Sequence, residues 1–160
     1  MGNDYGAYGV IYDEGIVVPA VGTSTIDPNL LRQKVAWHGR ERPGSIVVKM
    51  PERRLYLVQG NGRALRYGIG VGRTEALNFR GSATVGRKEQ WPRWTPTASM
   101  IAATPRYRDY ATGMGGRPDN PLGARALSLL RRSRYLFPIA WHKRARDHRR
   151  CGLEWVHSPV

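Results

Sequence analysis

Three β-rich runs in close succession constrain this chain more than any other feature. SIVVKM, RRLYLVQ and RALRYGIGV follow Pro43, separated by Pro51-Glu52 and by Gly60-Asn61-Gly62. Asn61-Gly62 is a two-residue hairpin signal, because both central positions of the turn need positive φ, which Asn and Gly tolerate. An antiparallel β-meander is predicted here. The next run, SATVGRK, alternates again, whereas the stretch from Trp91 to Leu127 is rich in Pro and Gly. Loops of that length inside a domain are commonly functional. Two Trp, two Tyr and two Met within this one point to a packed, ordered cover. Nearer the start, Asp27 as N-cap with Pro28 at the first helical position predicts a short helix in the segment that ends at His38. The expected fold class is mainly β, with a short N-terminal helix and long ordered loops.

Composition excludes several classes. A chain of 160 residues is long enough for one domain with a real core. No stretch approaches the roughly 20 apolar residues that span a bilayer, and the opening MGNDYGAYGVIYDEG has neither a basic nor an apolar leader region, so no secretory signal is expected in it. A single Cys makes no internal disulfide and cannot hold zinc unaided. Neither a metal nor a cofactor is expected. Gly68, Gly70 and Gly72 do not complete a dinucleotide fingerprint, since Arg73 stands where the third Gly belongs. Alternate glycines in a strand instead mark a face that another backbone approaches.

The net charge of +14 is unevenly placed. Residues 1–127 carry 18 basic and 10 acidic side chains, net +8, and residues 128–160 carry 8 and 2, net +6. The last fifth also holds three of the four His and Cys151, the only cysteine.

The segments PGSIVVKMPERRLYLVQGNGRALRYGIGVGR, FRGSATVGRKEQWPRWTPTASMI and DNPLGARAL, in that order, resemble the L,D-transpeptidase catalytic domain family. The resemblance runs from about Asp27 to Leu127. It implies an L,D-transpeptidase-like β-sandwich that is incomplete at its C-terminal end. The domain division it implies is an extension over 1–26, the truncated domain over 27–127 and a basic tail over 128–160. It also implies peptidoglycan stem peptides as partners, acyl transfer through a cysteine acyl-enzyme, and a periplasmic or cell-envelope location. Trp94, Pro96, Asn120 and Gly123 are the substrate-binding candidates that the resemblance supplies, with Trp91 and Pro92 beside them; plain aromatic packing under a loop is the commoner role for such tryptophans.

In that family the counterpart of Asn120–Leu127 is followed by a His-Gly-Thr-Asn segment and then by Ser-Ser-Gly-Cys-Ile-Arg. The residue types suit the chemistry, because a thiolate attacks the acyl carbonyl, a His activates it and backbone N–H groups stabilise the oxyanion. This chain reads SLLRRSRYLFPIAWHKRARDHRRCGLEWVHSPV instead, with neither motif. Back-translating Ala140–Pro159 and starting each codon one base later permits His-Gly-Thr-Asn from Ala140, then Glu-Pro-Ala-Thr-Ile-Gly-Ala-Ala, then Val-Ser-Ser-Gly-Cys-Ile-Arg-Leu. Gly is forced at Trp141 and again at Trp155, where no synonymous codon exists. A frameshift is therefore expected. On that reading the family His spans Ala140 and Trp141, the nucleophile spans Val156 and His157, and the chain as translated has no catalytic residue.

Two other uses of the tail follow from its composition. Cys151 with His148 or His142 forms a substitute dyad only if the stretch is helical, which would put His148 and Cys151 on one face. RRSR and HKRARDHRR, with Tyr135, Phe137 and Trp141 for stacking, read as a nucleic-acid-binding tail, whose affinity would fall steeply with salt. The frameshift explains the same residues without a partner.

Overall fold

The computed structural model describes residues 5–70, 81–131, 134–142 and 152–155. The chain divides into two compact units, built around residues up to Val71 and around Gly72–His142.

In the first unit the predicted meander is present: β4 (Ile46–Lys49), β5 (Arg54–Gly60) and β6 (Arg63–Gly68) pair antiparallel in sequence order. Asn61 and Gly62 take φ of 50° and 64°, the left-handed values that the hairpin requires. The segment predicted as a short helix is different in length. Asp27 does cap it, its Oδ1 accepting from Asn29 N at 2.8 Å, but the helix is a single 3-10 turn over Pro28–Leu30. Gln33–Ala36 then becomes strand β3, which pairs with β6 and completes a sheet of order β3-β6-β5-β4. Val35 in register with Ala64 gives the segment a sheet partner that a free helix would lack, so pairing overrides the helical start.

Gly68 explains part of the glycine alternation. A Cβ there would lie 2.6 Å from Leu30 O and 2.9 Å from Leu30 Cβ, so the 3-10 turn crosses the strand where only Gly fits. Leu31, Val21 and Ile26 bury beside it, with Tyr8 and Leu30 packed on them. Tyr8 Oη accepts from Arg32 N at 2.7 Å, tying the N-terminal segment to this cluster. That segment also forms a small hairpin, β1 (Ile11–Asp13) with β2 (Ile16–Val18), turning through Glu14 and Gly15 at positive φ.

The second unit carries β7 (Thr84–Gln90), β8 (Arg125–Arg131) and β9 (Arg134–His142), with β10 (Gly152–Trp155) completing a sheet of order β10-β9-β8-β7. The expected SATVGRK strand is β7, displaced by two residues. Between β7 and β8 lies the Pro- and Gly-rich stretch, which contains one short helix, α1 (Ala98–Ala103), capped by Thr97 Oγ1, and a 3-10 segment over Pro105–Tyr110. The architecture is mainly β, as the sequence predicts.

Candidate functional site

The stretch from Trp91 to Ala124 is held closed by two nested backbone links. Trp91 N donates to Ala124 O at 2.9 Å, extending the β7–β8 ladder past Gln90 and Arg125. Inside it, Trp94 and Met114 exchange both N–H···O bonds, at 2.9 and 2.7 Å. A loop pinned twice loses much of the closure entropy that would otherwise open it.

Side chains fill the enclosed space. Trp94 is 2 % exposed and packs with Met114 and Leu122, while Met100, Tyr107 and Tyr110 close around them. The Trp94 and Tyr107 rings meet edge to face, 5.2 Å between centroids at 80°, the geometry that aromatic quadrupoles favour. The six Trp, Tyr and Met that suggested packing include five of this cluster; Trp91 is the sixth.

Asn120 is the polar hub. It is fully buried, and its Nδ2 donates to Pro92 O and Gly115 O, both at 2.9 Å, with Met114 O at 3.3 Å sharing a proton. Its Oδ1 accepts from Leu122 N at 2.7 Å. One side chain thus joins both ends of the loop to its middle, in a low-dielectric site where each bond counts for more than in water. Gly123 follows in the left-handed region at φ 62°, and its N–H bonds Asn120 O at 2.9 Å, closing a tight turn into β8. Gly116 is required too: a Cβ would meet Trp91 O at 2.0 Å. Arg93 reaches across to the carbonyls of Thr112 and Gly113.

The four substrate-binding candidates therefore gather in one loop. Trp94, Pro96, Asn120 and Gly123 are all buried, and the contacts of Trp94 and Asn120 run to the loop itself. The indole N–H groups of Trp91 and Trp94 are buried with no acceptor among the described residues. The roles of Asn120 as hub and of Arg93 as clamp are not legible from residue type alone; the Asn-Pro-Leu-Gly spacing, a turn signal beside a polar side chain, is the only hint.

Away from this loop, the β4–β5 turn carries the resolved electrostatics. Tyr56 Oη donates to Glu52 Oε2 at 2.8 Å and Lys49 Nζ lies 3.2 Å from Glu52 Oε1. The Tyr56 hydrogen bond, then Lys49, hold the Glu52 carboxyl below its ordinary range, while burial and then that same bond push the Tyr56 phenol up. Arg53 takes positive φ (51°) within this turn. No trio of His, Cys, Asp or Glu placed to hold a metal occurs among the described residues, and no helix among them is long and apolar enough to cross a membrane. Cys151 and His148 lie outside the described residues. Ala140, Trp141 and His142 close strand β9.

With this geometry in view, comparison with known proteins identifies the class. The model of the L,D-transpeptidase catalytic domain (YkuD) matches residues 43–158, so the chain belongs to that family. The match begins after Asp27 and extends past Leu127. A Fuscovulum blasticum protein named as an L,D-transpeptidase, from the ATP synthase subunits region (ORF 5), is 39 % identical over 56 residues. That alignment covers 35 % of this chain and 28 % of the relative. A Brucella melitensis crystal structure, described as a carnitine operon oxidoreductase, is 41 % identical with a TM-score of 0.62, covering 75 % of this chain and 74 % of that one.

Proposed function

We propose that this chain is the scaffold of a peptidoglycan L,D-transpeptidase whose catalytic residues are encoded out of frame. The reaction is acyl transfer. A cysteine thiolate attacks a stem-peptide carbonyl, the amine of that peptide bond leaves with a proton, and the amine of a second stem attacks the thioester and releases the thiolate. Its site of action is the periplasm or cell envelope.

One observation carries the reading: both family motifs absent from the chain are recoverable, in order, from one shifted frame over Ala140–Pro159. In that frame the middle base of each codon is a wobble position, and the first and last bases are set by the translated residues except where Arg, Leu or Ser leaves two choices. At Trp141 and Trp155 all three bases are set, and both codons read Gly, as the motifs need. The Arg and His surplus after Leu127 is then the product of a GC-rich strand read in the wrong frame, not a surface selected for an anion. The codon of Cys151 falls among the alanines ahead of the shifted Ser-Ser-Gly-Cys, so Cys151 is not the family nucleophile.

Trp94, Pro96, Asn120 and Gly123 act here as positioning residues that hold the loop beside the missing site. The oxidoreductase description belongs to the Brucella protein, and the reading proposed here rests on the family match instead. The direct test offers the translated chain a stem tetrapeptide donor with an amine acceptor. No acyl transfer is expected, with or without Cys151→Ser. Transfer that disappears in the Cys151→Ser variant would overturn the reading and make Cys151 a nucleophile.

A further inference from the structure

Trp94 and Trp37 both pack on tyrosines, with opposite results. Trp94 is sealed inside the cover loop, 2 % exposed. Trp37 follows β3 and stays half-buried beside Tyr56, their ring centroids 5.1 Å apart and their planes tilted by 41°. Three restraints fix it. Its backbone N–H donates to Gly62 O at 2.7 Å, tying it to the Asn61-Gly62 turn, and its indole Nε1 donates to Glu41 Oε2 at 3.2 Å. Gly39 lets Glu41 reach back to the ring: a Cβ there would lie 2.7 Å from Trp37 Nε1 and would strike Glu41 Oε2 as well. Tyr56, the third restraint, is itself held, since its Oη donates to Glu52 Oε2 at 2.8 Å and Lys49 Nζ sits 5.5 Å from its ring centroid, within cation–π range. Trp37 is thus a rigid, accessible ring at a strand end, and such a ring loses little conformational entropy on contact with a ligand. Acyl transfer makes no use of it, and it precedes the family match, which begins at residue 43.

We propose that Trp37 is the stacking platform of a binding site for a neutral, β-linked sugar chain. A pyranose ring in such a chain shows bare C–H bonds on its faces and hydroxyls around its rim. The C–H groups carry the partial positive charge that an aromatic face attracts. The polar groups around Trp37 suit the hydroxyls, which both donate and accept. Glu41 and Glu52 accept, and a carboxylate has about four lone-pair sites, so the bonds to the ring edges and to Lys49 exhaust neither. Lys49, its side chain 47 % exposed and its Nζ 3.2 Å from Glu52 Oε1, donates. Other ligands fit less well. A phosphate or an acidic polymer would meet both carboxylates, and a cation would meet Lys49. A proline-rich peptide needs an aromatic-lined groove, whereas Trp37 and Tyr56 pack against one another and leave none between them. The site does not rest on the acyl-transfer reading.

The test is isothermal titration calorimetry of the full chain with chitohexaose and cellohexaose, two neutral β-linked oligosaccharides, with heparin and a polyproline peptide as competing classes. Saturable binding of at least one oligosaccharide is expected, little changed by salt, because a neutral ligand releases no counterions. Trp37→Ala should weaken it at least about tenfold, the loss expected of a central aromatic anchor. Trp37→Phe, which keeps a ring, should retain it within about threefold. Circular-dichroism spectra matched to the parent chain separate a lost site from a lost fold. Where Trp37→Ala fails that match, Glu41→Ala, at an exposed position, decides: it frees the indole and removes an acceptor, and it should also weaken binding. No binding of either oligosaccharide, binding that survives both alanine variants, or a preference for heparin or polyproline would overturn the proposal.

Discussion

The two four-stranded sheets of this protein obey the same rules with opposite success. In β3-β6-β5-β4, the choices at the hairpin and in the core agree with the fold: Asn61-Gly62 at the two-residue turn, Gly68 where the Leu30 backbone crosses, Leu55 and Leu65 buried. In β10-β9-β8-β7, β7 and β8 keep register from Arg87 to Gln90 but shift between Val85 and Arg87, and β8–β9 shifts again between Ser128 and Leu130. A central strand receives a proline, Pro138, opposite Ser128. Natural sequences are consistent across levels, and a conflict in this stretch is what the proposed out-of-frame reading expects.

The largest effect that sharpens this contrast is the repair of the frame. Circular-dichroism melts of the translated chain are expected to be broad, because poorly specified strands leave edges open to pairing and aggregation; a clean two-state melt would break the comparison. In the frame-corrected chain, Trp94→Ala should cost about 4 kcal/mol, since a large ring is removed from a closed cluster. Asn120→Ala should cost about 3 kcal/mol by leaving the Pro92 and Gly115 carbonyls and the Leu122 N–H without their partner. Both are read from denaturant titrations, and values below 1 kcal/mol would show that the loop is not the organising element of its unit. In the well-matched sheet, Gly62→Ala should cost about 1 kcal/mol through strain at positive φ.

Glu52→Gln should give the smallest change, visible only in its pH dependence. The folded state holds this carboxyl below its ordinary value of 4.5, chiefly through the Tyr56 hydrogen bond. Its contribution is therefore complete above about 4.5 and lost as pH falls through the lower folded value. The variant should flatten the acid limb of a stability-versus-pH curve and leave neutral pH nearly unchanged; an unaltered acid limb would dismiss the Tyr56–Glu52–Lys49 cluster as a stabilising device.

Strands β4, β5, β6 and β7 and the Asn61-Gly62 turn were legible because period-2 alternation and Asn-Gly are local signals. Asp27-Pro28 was legible as a helix start but not as a helix of one turn, since the pairing of Gln33–Ala36 with β6 is a long-range effect. The cover loop was recognisable from its Trp, Tyr and Met content, whereas the Asn120 hub depends on carbonyls from Pro92 and Gly115 that only folding assembles. Strand β8 was hidden in ARALSLL for the same reason.

Intact-mass spectrometry of the translated and frame-corrected chains, each incubated with a stem tetrapeptide, tests the central claim most directly. The account predicts a covalent acyl adduct on the corrected chain alone, carried by the restored Ser-Ser-Gly-Cys cysteine and discharged by an added amine. An adduct on Cys151 of the translated chain, or none on the corrected chain, would contradict it.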